Sequence, residues 1–230
     1  MSGPVPLRID IWSDVMCPWC IIGYRKLEKG LALLGEEVSP EIRWRPFELN
    51  PQMPPEGEDA EQHVMRKYGR TREEAAGGRG KMAEIAAEAG YSFRYTGEGE
   101  VPPSWMWNTF LAHKLLAHAL AGYGAQVQTR LKLALFDAHF QRRLNVSDPA
   151  VLLDLAENAG LDRARAEKAL GDEALDHYVR GEEELAYDMN ITGVPAMVVN
   201  GKYMIPGAQE PEVYASAIRR VLEKEARASA

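Results

Sequence analysis

The sequence predicts an α/β fold whose two halves are separated by a helical insertion. Three observations predict it. Residues 7–49 read as strand, Cys-x-x-Cys, helix, strand. Residues 60–187 read as helix almost throughout. Residues 196–224 read as two short strands joined by Asn200-Gly201 and then a helix.

Taken in order, Leu7-Arg8-Ile9-Asp10-Ile11-Trp12 alternates apolar and polar residues, as a strand does. Ser13 to Met16 form a loop, and Cys17-Pro18-Trp19-Cys20 follows. Ile21, Tyr24, Leu27, Leu31 and Leu34 recur at three- and four-residue steps, an amphipathic helix ending near Gly35. Glu41 to Leu49 alternates again, and Pro46 suggests an edge position or a bulge. The Pro-, Glu- and Gly-rich stretch 50–59 leads into helices expected over 61–68, 71–89, 104–121, 125–141, 151–159, 162–170 and 173–190. Thr71 with Glu74 reads as a capping box, and Asp148-Pro149 as an N-cap with proline at the first helical position. Residues 91–95 read as a short extended piece. Ala196 to Val199 and Lys202 to Ile205 flank Asn200-Gly201, a strong two-residue hairpin signal, before the closing helix 210–224. Strand, CxxC, helix, strand is the opening of a thioredoxin-like fold, and the β-β-α ending completes it. The expected division is therefore 1–55 and 189–230 for the thioredoxin-like domain, with 56–188 as an inserted helical domain.

Composition narrows the function. With 46% hydrophobic and 27% charged residues, the 230-residue chain is long enough to bury a sizeable core. A formal net charge of -7 argues against nucleic acid or an anionic membrane as the main partner. No targeting segment is visible, because Arg8 and Asp10 interrupt the first apolar run, and no run approaches the ~20 residues of a membrane helix. The expected compartment is cytoplasmic. There a CxxC is more often catalytic or metal-binding than a structural staple.

Cys17 and Cys20 are the chain's 2 cysteines. A helix start offers positive potential and free amide donors, which stabilise the thiolate that attacks a disulfide. Cys17 sits there, and Pro18 fits the first helical turn, where its missing N–H is no loss. Cys20, one turn in, is within disulfide reach. The expected roles are Cys17 as exposed nucleophile and Cys20 as resolving thiol. A structural zinc site would need about four ligands. No second CxxC and no HxxxH pair is present among the 5 histidines, so no metal is expected. Two unreactive thiols at this spacing, and a non-redox thiol enzyme, are the remaining alternatives. Trp19 offers an apolar landing surface beside the cysteines or packs on the insertion. His113 reads as a satisfied buried polar group, and the Glu182-Glu183-Glu184 run as a solvated helix face.

Ser13-Asp14-Val15-Met16-Cys17-Pro18-Trp19-Cys20 with Ile22-Gly23, and Arg45-Pro46-Phe47-Glu48-Leu49-Asn50, form a set of motifs. Asn108-Thr109-Phe110, Thr192-Gly193-Val194-Pro195 and Gly207-Ala208-Gln209 continue it along the chain. On these residues the chain resembles the DsbA family of thioredoxin-fold oxidoreductases, in its cytosolic FrnE-like branch. The resemblance implies a cis Pro195 facing the CxxC, with Val194 and Thr192 presenting backbone to an extended substrate, and Trp105 and Asn108 lining the site from the insertion. It implies dithiol–disulfide exchange with protein or small-molecule thiols, with no bound cofactor and glutathione or another thiol as co-substrate. A monomer or homodimer is expected. Ile21 stands where this branch often has an aromatic, and Pro206 where a Ser usually precedes Gly-Ala-Gln. The same superfamily holds glutathione-dependent isomerases of the hydroxychromene-carboxylate type and kappa-class transferases. Those typically carry Ser at the position of Cys17, so the paired cysteines favour redox exchange. A non-catalytic interaction protein reusing the fold is the third possibility.

Overall fold

The computed structural model describes residues 3–228. Its first unit is β1 (Val5–Ser13), α1 (Pro18–Leu34) and β2 (Val38–Pro46), with a 3-10 turn at Gly35–Glu37 between α1 and β2. After the 47–57 loop come β3 (Glu58–Asp59), α2 (Ala60–Tyr68), α3 (Arg72–Ala89), β4 (Trp105–Met106), α4 (Phe110–Tyr123) and α5 (Ala125–Phe140). Then follow α6 (Pro149–Asn158), α7 (Arg163–Leu170) and α8 (Glu173–Asp188). The chain closes with β5 (Ala196–Val199), β6 (Tyr203–Pro206) and α9 (Pro211–Ala228).

The main sheet has the order β2-β1-β5-β6. β1 runs parallel to β2, with Ile9 opposite Ile42 and Ile11 opposite Trp44, and antiparallel to β5, with Ile11 opposite Met197. β1 is paired on both sides, and its polar residues Asp10 and Ser13 are buried while Arg8 stays exposed. Asp10 is buried and held by Arg8 at 2.8 Å and Arg45 at 2.7 Å. Asn200 and Gly201 turn β5 into β6 with positive φ at both positions, the conformation that an Asn-Gly hairpin requires. This is the thioredoxin-like α/β fold with a helical stretch between β2 and β5.

β2 is an edge strand, and α5 closes that edge. The buried Gln128 side chain accepts from the Trp44 amide at 2.9 Å and donates to the Trp44 carbonyl at 2.8 Å, as a neighbouring strand would. The Trp44 indole N–H donates to Thr129 at 3.1 Å. Phe136 and Phe140 from α5, together with Tyr91, share one apolar cluster with Leu7, Ile9, Ile11 and both cysteines. A second cluster joins Val15 and Met16 to α4, α5, α6 and α7.

Three local expectations are corrected. The helix read over 104–121 begins only at Phe110, because Trp105–Met106 pairs with Glu58–Asp59. Asn108 then ends that strand, accepting from the Phe110 amide at 3.0 Å and donating to the Met53 carbonyl at 3.1 Å. Residues 91–95 form no strand. The Tyr91 amide bonds back to Ala86 at 2.8 Å, and the Tyr91, Phe93 and Phe140 rings stack edge-on or tilted in the core. The second strand ends at Pro46 rather than Leu49, where the Leu49 amide turns to the Asp14 carboxylate at 2.7 Å.

Candidate active site

The loop between β1 and α1 is fixed before the helix begins. Asp14, buried, accepts from the amides of Met16 (3.2 Å) and Leu49 (2.7 Å). The Cys17 amide bonds the Asp14 carbonyl at 3.2 Å, and the Cys20 amide bonds the Cys17 carbonyl at 3.1 Å. Cys17 is the N-cap of α1 in an extended conformation, with Pro18 next and no side chain capping the helix. The positive end of α1 is thus offered to the Cys17 sulfur. Both cysteines are free thiols.

Cys17 was expected to be exposed, and it is 3% exposed, against 0% for Cys20. The order is as expected but the margin is small. The cover comes from the loop before β5, where the Cys17 thiol donates to the Val194 carbonyl at 3.6 Å. The Val194–Pro195 peptide is cis. The Pro195 carbonyl accepts from the Gly207 amide at 2.8 Å, which ties this loop to the turn after β6. Gly23 lets both close on α1: a Cβ there would lie 2.9 Å from Pro195 Cγ and 3.3 Å from Ala208 Cβ. Thr192 and Gly193 are exposed beside Val194.

Charged groups are buried in the same interior. Burial raises the Cys20 thiol well above its ordinary pKa, the neighbouring Cys17 raises it further, and Lys132 and the Asp14 backbone oppose them. Lys132 is 0% exposed, and its ammonium has no hydrogen-bond partner. It lies 5.4 Å from the Trp44 ring centroid and 5.0 Å from that of Phe136. Burial pushes it down to about 8, against the pull of Cys20, Asp14 and Cys17. Burial would raise Asp14, but His113, the Leu49 amide and Lys132 outweigh it and hold the carboxyl below its usual range. His113 Nε2 is 3.8 Å from Asp14, too long for a hydrogen bond, and has no other partner. His113 is buried as expected, but its Nε2 has no hydrogen-bond partner, and its pKa is lowered chiefly by desolvation.

Cys17, Cys20, Pro18, Val194 and Pro195 are brought together. Trp19 is 38% exposed beside them. Trp105 is 37% exposed and stacks on Trp107 at 5.5 Å, and Trp107 packs on the cluster that holds Val15 and Met16. The Asn108 amide is committed to Met53 and Phe110. Glu183, read as solvated, is 8% exposed; it and the buried Glu48 both pair with Arg180, whose own side chain is exposed. Among the described residues, no group of three or more His, Cys, Asp or Glu could hold a metal ion, and no helix is long and apolar enough to cross a membrane. Lys132 is the site residue that sequence reasoning passed over. Its one visible signal is position: it falls within the apolar arc of Gln128, Leu131, Leu135 and Phe136.

Comparison with known proteins agrees with this architecture. The family description of a DSBA-like thioredoxin domain matches residues 8–219. YwbO of Bacillus subtilis is 29% identical over 219 residues, covering 92% of this chain and 96% of that protein. The crystal structure of a probable DsbA oxidoreductase from Streptomyces coelicolor superposes with a TM-score of 0.84 at 30% identity, covering 94% of this chain and 90% of that one. The cytosolic disulfide reductase DsbM of Pseudomonas aeruginosa shares the fold, with a TM-score of 0.62 at 16% identity over 94% of this chain and 98% of that one.

Proposed function

We propose that this chain, which belongs to the DSBA-like thioredoxin family, is a cytoplasmic thiol–disulfide oxidoreductase that uses Cys17 and Cys20 to exchange disulfides with protein or low-molecular-weight thiols. The observation that carries this reading is the placement of the Cys17 sulfur. It stands at an uncapped helix start, 3.6 Å from the Val194 carbonyl, with Cys20 buried one turn behind.

In the proposed cycle, the Cys17 thiolate attacks one sulfur of a substrate disulfide R–S–S–R′. A Cys17–S–S–R bond forms, and R′–S⁻ leaves and takes a proton. Cys20 then attacks the Cys17 sulfur, the Cys17–Cys20 disulfide forms, and R–S⁻ leaves. The substrate gains two electrons and the dithiol loses two; run in reverse, the same steps oxidise a substrate dithiol. The dithiol is itself the redox group, so no bound cofactor is needed. The exposed Thr192-Gly193 segment and the Val194 backbone would align an extended substrate chain by main-chain pairing. Trp19 supplies apolar surface beside it. Glutathione is the small thiol to test first.

The test is a Cys20→Ser variant incubated with oxidised glutathione and with a disulfide-containing peptide, then read by mass spectrometry. A stable mixed disulfide through Cys17 is expected. No adduct with either partner would sink the reading, and retained isomerase activity without disulfide turnover would point to the glutathione-dependent isomerases.

A further inference from the structure

Resting on that reading, we propose that the cavity between the loop after β2 and helix α8 takes a lysine or arginine side chain of the disulfide-bearing substrate. The cavity has a volume of about 210 Å³. Phe47 and Glu48 wall it from the loop, and Arg180, Glu183, Glu184 and Tyr187 wall it from α8. Sites that hold whole small ligands measure about 300–1,000 Å³, so this one suits a single side chain.

Its place ties it to the dithiol. Phe47 belongs to an apolar cluster with Trp12, Ala186 and Ile191, and Val194 packs against that cluster. The Leu49 amide, next to Glu48, donates to the Asp14 carboxylate at 2.7 Å, and the Asp14 carbonyl holds the Cys17 amide at 3.2 Å. A substrate aligned on the Val194 backbone would thus lie against the cluster from which Phe47 walls the cavity.

The chemistry of the wall selects the guest. Three carboxylates and one guanidinium line it. Arg180 is already committed: it bonds Glu48 Oε2, bonds Glu183 Oε2 at 2.7 Å and lies 4.1 Å from the Phe110 ring centroid. Glu183 Oε1 accepts from the Glu48 amide at 3.0 Å. What is left over is negative. Glu48 Oε1 has no hydrogen-bond partner, in a side chain 1% exposed, and Glu184 stands exposed at the rim. A buried carboxylate short of partners is costly until a cation or a proton compensates it. Burial and then Glu183 push Glu48 up to about 7, Asp14 adds to them, and Arg180 opposes. A guest ammonium or guanidinium would take the place of that proton. An anionic guest would meet excess negative charge, and an aliphatic one would leave the carboxylates as they are. The Phe47 and Tyr187 rings, 5.8 Å apart and tilted by 45°, offer apolar surface to the stem of the guest and π faces to its charge.

The experiment mixes the reduced full-length protein with short peptides whose single Cys is disulfide-bonded to 2-mercaptoethanol. One position at a time on either side of that Cys is Lys, norleucine or Glu. Loss of the reduced dithiol is followed by acid quench, thiol alkylation and mass spectrometry. High ionic strength is used, so that the net charge of -7 does not favour every cation alike. At one position, Lys should react roughly 10-fold faster than norleucine, and Glu more slowly than either. The Lys-to-norleucine ratio is the readout, because a general loss of activity cancels in it. In Glu48→Gln the ratio should fall to within about 2-fold of one, and in wild type it should shrink as pH falls through about 7. Glu184→Lys changes an exposed residue and puts a cation at the rim, so it should lower the ratio too; it decides the matter if Glu48→Gln does not fold. A wild-type ratio near one at every position, or a full ratio retained in the folded variants, overturns the proposal. Loss of reduced dithiol with no peptide at all would instead remove the exchange reading, and this subsite with it.

Discussion

The dithiol stands between two walls of opposite character. On one side, the Val194–Pro195 loop presents neutral backbone and shape: a carbonyl at 3.6 Å from Cys17, a cis peptide and a close approach at Gly23. In the interior, Asp14, His113 and Lys132 are three buried ionisable groups. The first wall is partly open, with Thr192 and Gly193 exposed. The second is closed by α4 and α5. The difference teaches a division of labour. On the proposed reading, the neutral, accessible wall would meet a substrate, while burial and the neighbouring charges act on the Cys20 thiol. A buried charge acts strongly because little water screens it. For the same reason it does not serve as a landing surface.

The sharpest way to break this contrast is to loosen the charged wall at its anchor. Gln128→Leu keeps the volume but leaves the Trp44 amide and carbonyl, and the Leu116 carbonyl, without their side-chain partners. Each unsatisfied buried group costs about 1–3 kcal/mol, so a loss of roughly 2–5 kcal/mol is expected by urea unfolding. Stability within ~0.5 kcal/mol of wild type would show that the edge of β2 is closed by something other than Gln128.

The neutral wall is tested at Gly23. In Gly23→Ala the new methyl meets Pro195 Cγ at 2.9 Å, and Ala208 Cβ and Met197 Cε at 3.3 Å. Overpacking of this kind costs about 1–3 kcal/mol, and the better helix propensity of Ala returns up to ~1 kcal/mol. A net loss of about 1–2 kcal/mol is expected, together with slower adduct formation at Cys17, because the Val194 carbonyl is pushed from its place. Adduct formation at the wild-type rate in Gly23→Ala would show that the Val194 carbonyl does not position Cys17.

How far the walls were legible in the sequence follows the same division. Part of the neutral wall rests on local signals: proline after an N-cap cysteine, two cysteines one turn apart and Asn-Gly at the hairpin. The cis Val194–Pro195 peptide and its approach to Gly23 join segments distant in sequence, and only the family resemblance implied the cis bond. The charged wall depends on pairings distant in sequence. Nothing near Lys132 says that the Trp44 ring will stand over it, and within α5 it looks like one polar residue in an apolar stripe. The late start of α4 was hidden for the same reason, since the pairing partner of Trp105–Met106 lies before α2. Glu183 was read as solvated because its neighbours in sequence are, although a helix face changes with every residue.

Glu183 leads to the smallest effect, at the rim of the charged wall. Its partner Glu48 has its pKa raised to about 7, chiefly by burial and then by Glu183, with Arg180 opposing. An unfolded glutamate titrates near 4.3. The folded chain therefore binds more protons at Glu48 between those values. The sign follows: the stability that Glu48 contributes is full below about pH 4.3 and is lost as pH rises toward 7. Buried His113 and His139, whose pKa values are lowered by desolvation, pull the other way, since the unfolded chain protonates them first as pH falls. The measurement must then be a difference between variant and parent. Glu48→Gln keeps an acceptor for Arg180 but does not titrate. Between pH 5 and 7 it should remove a decline of about 1–2 kcal/mol from the stability profile, read as urea midpoints across that window. Identical profiles would mean that Arg180 neutralises Glu48 fully, and that the charged wall ends at Asp14 rather than at α8.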